Sequence, residues 1–240
     1  MTTRLLFRED PYLRDAPARV IAHTPEGGII LDASVFYPTG GGQPGDSGFL
    51  VWDGIEMPIA TTVLGPGREV VLVPSEPQPL PEVGTHLVQY LDWERRHRHM
   101  RVHTALHLLS VVVPLPVTGG AITSEKGRLD FNMPDAPADR DVIEESLHLL
   151  IERDLPVSET WVTDEVLAAT PELVKTMSVK PPRGQGRVRL VRIGKGGDQV
   201  DLQPCGGTHV ARTGEIGAIR LGKIEKKGRQ NRRMNILFDA

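Results

Sequence analysis

The chain has 240 residues, 39% apolar and 25% charged, with a net charge of −3, an ordinary globular balance that fills one large domain or two modest ones. That sum excludes a protein that coats nucleic acid by bulk charge, and a single cysteine excludes an internal disulfide and fits a reducing compartment. No apolar run nears the roughly 18 residues of a membrane span, and the opening Met1 to Asp10 turns acidic too early for a secretory signal; a cytoplasmic protein without membrane contact is expected.

Residues 1–91 read as β-rich. Arg19 to His23, Gly28 to Leu31, Phe49 to Trp52, Val70 to Val73 and His86 to Leu91 are short strand-like runs punctuated by Gly, Pro and Asp, the pattern of a small barrel or sandwich. Between the second and third runs lies Tyr37-Pro-Thr-Gly-Gly-Gly-Gln-Pro-Gly-Asp-Ser-Gly48. Gly40, Gly42 and Gly45 match G-x-G-x-x-G formally. Pro44 and Asp46-Ser47-Gly48 open no helix, however, so a dinucleotide site is rejected, and no lysine supports a phosphate loop. Two readings stay open. The segment is a tight turn that glycine permits, or a backbone surface that lets a ligand come close, with Gln43 and Asp46 as polar contacts. Pro74 to Pro81 is a proline-rich connection.

Trp93 to Val113 predicts the longest helix, stopped by Pro114 and Pro116, with Val102, Leu106, Leu109 and Val113 at helical spacing. A second helix is expected over Asp139 to Asp154, burying Ile143, Leu147, Leu150 and Ile151, and Thr163 reads as a helix N-cap. Strands are expected at Pro156 to Val162, Arg187 to Ile193, Ile216 to Ile224 and Met234 to Phe238, the last two flanking a hairpin loop at Lys226 to Asn231. Runs of strand and helix without βαβ alternation predict an α+β fold, divided into residues 1–91 and 92–240.

Two short motifs carry the chemistry. His103-Thr-Ala-Leu-His107 places two imidazoles four residues apart on one helical face, and Cys205-Gly-Gly-Thr-His209 adds a thiol and a third imidazole. Imidazole nitrogen with thiolate sulfur is the ligand mixture of Zn²⁺, so His103, His107, Cys205 and His209 are the expected metal ligands. No Glu follows the first histidine, which argues against the metalloprotease helix motif. Basic residues gather at Arg95, Arg96, Arg98 and Arg101, and again at Lys223, Lys226, Lys227, Arg229, Arg232 and Arg233. Each group alone reads as a solvated face; beside the ligand motifs, both would meet a phosphate backbone approaching that pocket.

In combination the two ligand motifs resemble the signature of the editing domain shared by alanyl- and threonyl-tRNA synthetases and the free-standing AlaX proteins. The Gly40 to Gly48 segment is similar to the N-terminal barrel motif of alanyl-type editors of medium length, and Gly127-Arg-Leu-Asp-Phe131 and Lys226-Lys-Gly-Arg229 sit where that family places similar strings. The resemblance covers nearly the whole chain. It implies a β-barrel followed by an editing domain with a mostly antiparallel sheet and a long helix carrying the histidine pair. It also implies a zinc-dependent deacylase clearing chiefly serine, with glycine as a second candidate, from mischarged tRNA(Ala), with no aminoacylation domain and no stable protein partner. By the same resemblance Thr104, Thr123, Gly119 and Gly120 are candidates to line the pocket, with Thr104, Thr123 and Gln43 as catalytic candidates. Gly40, Gly41, Gly42 and Gln43 would contact the amino-acid side chain, and Arg95, Arg96, Arg98, Lys226, Lys227, Arg229 and Arg232 the tRNA. Zinc either activates water or orients the substrate. Gly194-Lys-Gly-Gly-Asp-Gln199 is longer than the family pattern, and no C-terminal tRNA-binding extension is seen.

Overall fold

The computed structural model describes residues 3–135, 139–175 and 186–238. It is α+β and comprises two compact units, Met1–His99 and Met100–Ala240.

The first unit is a closed six-stranded antiparallel barrel. Its strands are β1 (Asp15–His23), β2 (Ile29–Leu31), β3 (Gly48–Trp52), β4 (Ile55–Leu64), β5 (Val70–Pro74) and β6 (His86–Leu91), closed in the order β1-β2-β5-β4-β3-β6. Alternation along β1 turns Ala16, Ala18 and Val20 inward, where they join Ile29, Leu31, Leu50, Met57, Ile59 and Leu72 in the barrel core. Strand β4 has no counterpart in the sequence-based expectation. Pro58 reads as a breaker there, yet the barrel seats it opposite Phe49.

The glycine-rich segment belongs to this unit and folds as a turn. Gly40 and Gln43 exchange backbone hydrogen bonds of 3.0 and 2.9 Å, and Gly41 and Gly42 between them have φ of +57° and +85°. A two-residue turn of that hand needs positive φ at both central residues, which glycine adopts freely. Asp46 then plunges into the interior. Its carboxylate accepts from Tyr37 N at 2.6 Å and from the Arg96 guanidinium, both side chains being fully buried.

The long helix α1 (Trp93–Val112) crosses the division between the units. From Met100 onward it packs through Val102 and Leu106 onto Gly127 of the hairpin formed by β7 (Val117–Ile122) and β8 (Lys126–Asn132). Helix α2 (Arg140–Glu152) is capped by Asp139, whose carboxylate accepts from Asp141 N and Val142 N, and it buries Ile143, Leu147 and Ile151. Strand β9 (Val157–Thr163) leads into α3 (Asp164–Ala169), where the Thr163 hydroxyl is the expected N-cap. Then come β10 (Arg187–Ile193), β11 (Asp201–Pro204), β12 (Ile219–Leu221) and β13 (Asn231–Phe238).

One antiparallel sheet runs β12-β13-β8-β7, with Glu225–Lys226 added to β13, and a second runs β9-β10-β11. The strand expected from Ile216 to Ile224 is shorter. Ile216 ends a 3₁₀ turn, Thr213–Ile216, and Gly217 at φ +69° takes the chain out of strand geometry before Ile219. No helix among the described residues is long and apolar enough to cross a membrane.

Candidate metal centre

The helical spacing of His103 and His107 sets their rings edge to face, 5.4 Å apart between centroids. Strand β11 ends at Pro204 and releases the Cys205–His209 loop toward them. Cys205 Sγ lies 3.4 Å from His103 Nε2 and 3.3 Å from His209 Nε2. One donor atom from each of His103, His107, Cys205 and His209 falls within 4.8 Å of the others. Donors at ordinary zinc bond lengths and a tetrahedral angle stand about 3.5 Å apart, so the two sulfur–nitrogen separations already have the span that one ion requires. The two pairs of candidate side chains, about a hundred residues apart in sequence, do come together.

The electrostatics suit a cation. Burial disfavours the Cys205 thiolate, but the neighbouring His103 and His209 outweigh it and hold the thiol well below its ordinary value. Burial, with the charge on His103, brings His209 down to about 3, so it offers a neutral nitrogen. His107 moves the other way. Burial is overcome by the Asp201 carboxylate and the Cys205 sulfur, which raise it to about 9. Asp201, despite its own burial, is held near 2 by His107 and Lys175. A deprotonated sulfur facing a ring of imidazoles is a donor set that a divalent ion satisfies.

A second layer of residues aims these ligands. Asp201 Oδ2 accepts from His107 Nδ1 at 2.9 Å, and its other oxygen takes Lys175 Nζ at 2.6 Å. Gln203 Nε2 donates to the same Asp201 oxygen (2.8 Å) and to Ser110 Oγ (3.2 Å). With Nδ1–H committed to the carboxylate, the Nε2 lone pair of His107 is left for a metal. The Thr104 hydroxyl donates to Met100 O (2.9 Å) and lies 3.2 Å from His209 Nδ1, which fixes that ring in the same manner. Arg189 braces the loop from behind, giving Cys205 O and Gly207 O one bond each of 2.9 Å while paired with Glu159.

Asp201→Asn is expected to weaken zinc binding about 10- to 100-fold, read by competition against a chelating dye. Wild-type affinity would remove Asp201 from the site. Asp201, Gln203, Lys175 and Arg189 were not among the sequence candidates. The available signal was the alternation of Asp201-Leu-Gln203-Pro just ahead of the cysteine, which puts both polar side chains on one buried face.

The remaining candidates fall elsewhere. Thr104 is fully buried and acts on His209 rather than lining an open pocket. Thr123 is exposed, and its hydroxyl closes the β7–β8 turn by accepting from Glu125 N and Lys126 N. Gly119 and Gly120 are strand residues of β7, paired with Asp130 and Leu129. Gln43 is buried in the barrel unit, at the end of the Gly40–Gly42 turn.

Two of the arginines assigned to tRNA are corrected. Arg96 is 0% exposed and its guanidinium is taken up by Asp46, Pro11 O and Val35 O. Arg232 is only 9% exposed and donates to Pro134 O and Asn231 O. Arg98, Lys226, Lys227 and Arg229 are exposed, and Arg95 is half-buried, donating to Gly45 O and Ser47 Oγ.

Residues 188–235 match the family described as the threonyl and alanyl tRNA synthetase second additional domain. The chain is 33% identical to the alanyl-tRNA editing protein AlaX-M of Methanosarcina acetivorans, covering 97% of each chain. It is 32% identical to AlaX-L of Pyrococcus horikoshii, over 93% of this chain and 55% of that one. Similarity to the alanine–tRNA ligase of Pyrobaculum arsenaticum is 36% over 93% of this chain, which spans 25% of the ligase's length.

Proposed function

Because the chain belongs to the AlaX family of alanyl-tRNA editing proteins, we propose that it hydrolyses the ester linking a wrong amino acid, chiefly serine and also glycine, to tRNA(Ala). The observation that carries the reading is the convergence of His103, His107, Cys205 and His209 on one ion-sized point. The need for such an activity is energetic. A synthetase pocket for alanine discriminates poorly against side chains that differ by one small group, and a second hydrolytic site supplies the missing selectivity.

His103, His107, Cys205 and His209 would hold zinc, which supplies Lewis acidity for polarising a carbonyl or lowering the pKa of water. The chain's own residues do the rest. Asp201 and Thr104 keep two imidazoles in the metal-binding tautomer. Arg189 fixes the carbonyls of Cys205 and Gly207, and at exposed Gly206 a Cβ would meet nothing within 4 Å, so the loop is open there. Exposed Arg98, Lys226, Lys227 and Arg229 supply phosphate contacts, so substrate KM should rise steeply with salt.

A deacylation time course on Ser-tRNA(Ala), with Ala-tRNA(Ala) and Ser-tRNA(Ser) alongside, tests the reading. Release of serine from the first alone is the expected result. No release by zinc-loaded protein would replace the hydrolase with a zinc-bearing RNA-binding module.

A further inference from the structure

One face of the β9-β10-β11 sheet has two characters. Val188 and Leu190 turn to the opposite face, where they pack with Leu167 of α3. On the near face Val191 and Ile193 are buried, and the other end of the same rows comes to the surface with Arg187 and Trp161, the Arg189 side chain between them being only 11% exposed. Trp161 is directly opposite Arg189 in the ladder, and opposite residues of an antiparallel pair share a face. Beyond the Leu190–Pro204 pair, Cys205 N donates to Arg189 O at 3.3 Å, so Trp161, Arg189 and Cys205 occupy one row across three strands. Two strand spacings are about 10 Å, about the span of one nucleoside.

Trp161 is 39% exposed, unusual for the largest apolar side chain on a strand beside a buried polar site. Among the described residues, the cation that stands over its ring does not seal it. Arg187 Cζ stands 5.8 Å from the ring centroid, against 4.1 Å for the packed pair of Arg101 and Phe238. Arg189 is already occupied by Glu159 and the loop carbonyls, which leaves Arg187, itself exposed, as the cation at the rim.

We propose that Trp161 is the stacking platform for the unpaired nucleobase next to the aminoacyl ester, with Arg187 pairing the adjoining phosphate. This rests on the reading of the chain as an aminoacyl-tRNA hydrolase and gives its substrate a second point of attachment. An aromatic face accepts any base, and an arginine beside it accepts the backbone charge; together they recognise a single-stranded RNA end.

The test uses two uncharged RNA hairpins, one ending in a single-stranded ACCA and one flush, with binding followed by fluorescence anisotropy for the zinc-loaded protein. Wild type should prefer the overhang. Trp161→Ala should weaken that hairpin about five- to hundredfold and leave the flush one unchanged; Trp161→Phe should restore most of the loss. In turnover, the alanine variant should raise KM with kcat nearly constant. Equal binding of both hairpins by wild type, or an alanine variant that binds the overhang as wild type does, overturns the platform. An alanine variant that weakens both hairpins alike, with phenylalanine failing to rescue, assigns Trp161 to the fold and also overturns it. Overhang preference in a protein that releases no serine would sink the hydrolase reading and leave the platform. Serine release indifferent to Trp161 would do the reverse.

Discussion

Cys205→Ser should lose stoichiometric zinc and at least about a hundredfold in deacylation, while the protein stays folded. Cys205 is the sulfur within 3.4 Å of His103 and 3.3 Å of His209, and no other thiol in the chain can replace it. Serine keeps the volume but has no anion to offer near neutral pH, so the softest and most strongly charged donor disappears. The fold should survive because its second unit has a core of its own. Leu108, Leu109, Phe131, Met234 and Ile236 are essentially inaccessible and owe nothing to an ion. In zinc fingers, by contrast, the metal supplies the folding free energy.

Zinc content by atomic absorption and circular dichroism on one sample decide the matter. Loss of zinc together with loss of secondary structure would make the centre structural. Full activity without zinc would detach it from the chemistry. The wild-type centre should also bind zinc more weakly as the solution is acidified. His107, raised to about 9, is protonated at neutral pH before metal arrives, so binding must expel that proton. The apparent affinity should therefore fall about tenfold for each pH unit between 9 and neutrality, seen as proton release in buffers of different ionisation enthalpy.

Arg96→Ala should cost about 3–5 kcal/mol, which in a unit of this size lowers its melting midpoint by more than about 10 °C. Both Arg96 and Asp46 side chains are 0% exposed. The guanidinium makes bonds of 3.0 and 3.1 Å to the carboxylate, 2.7 Å to Val35 O and 3.1 Å to Pro11 O. Truncation strands a buried carboxylate and two carbonyls in a medium that solvates none of them. Joint replacement, Arg96→Met with Asp46→Leu, should be far milder, since desolvation of both charges then vanishes from the balance. Calorimetric scans of the three variants check the order. A single variant within 1 kcal/mol of wild type would refute the buried-pair account and return Arg96 to the phosphate-binding set.

Arg96 also marks the limit of what the residues alone reveal. In the string Arg95-Arg96-His97-Arg98 nothing distinguishes a buried arginine from its solvated neighbours. Its fate depends on Asp46, 50 positions away, which only the folded barrel delivers. Strand β4 stayed hidden for a related reason: Pro58 contradicts strand propensity locally, and closure of the barrel overrides it. What was legible had short range or unmistakable chemistry. Strand β10 matches its expected bounds, Arg187 to Ile193, and the Thr163 cap and the histidine helix follow from spacing and side-chain oxygen alone. Residue type alone singled out the four side chains that come together. The residues that orient them were not legible, because an Asp or a Gln in a short strand looks the same whether it faces water or a buried imidazole.

Gly127 extends the reach of the metal centre to a position with no functional group. A methyl there would sit 2.4 Å from Val102 Cγ1 and 3.1 Å from Leu106, so helix α1 would have to lift from the hairpin. Val102 immediately precedes His103, and Leu106 immediately precedes His107. Lifting would shift both imidazoles against Cys205 and His209, which stand on the loop that follows β11. Substitution at this position is thus constrained by the placement of the two imidazoles as well as by packing.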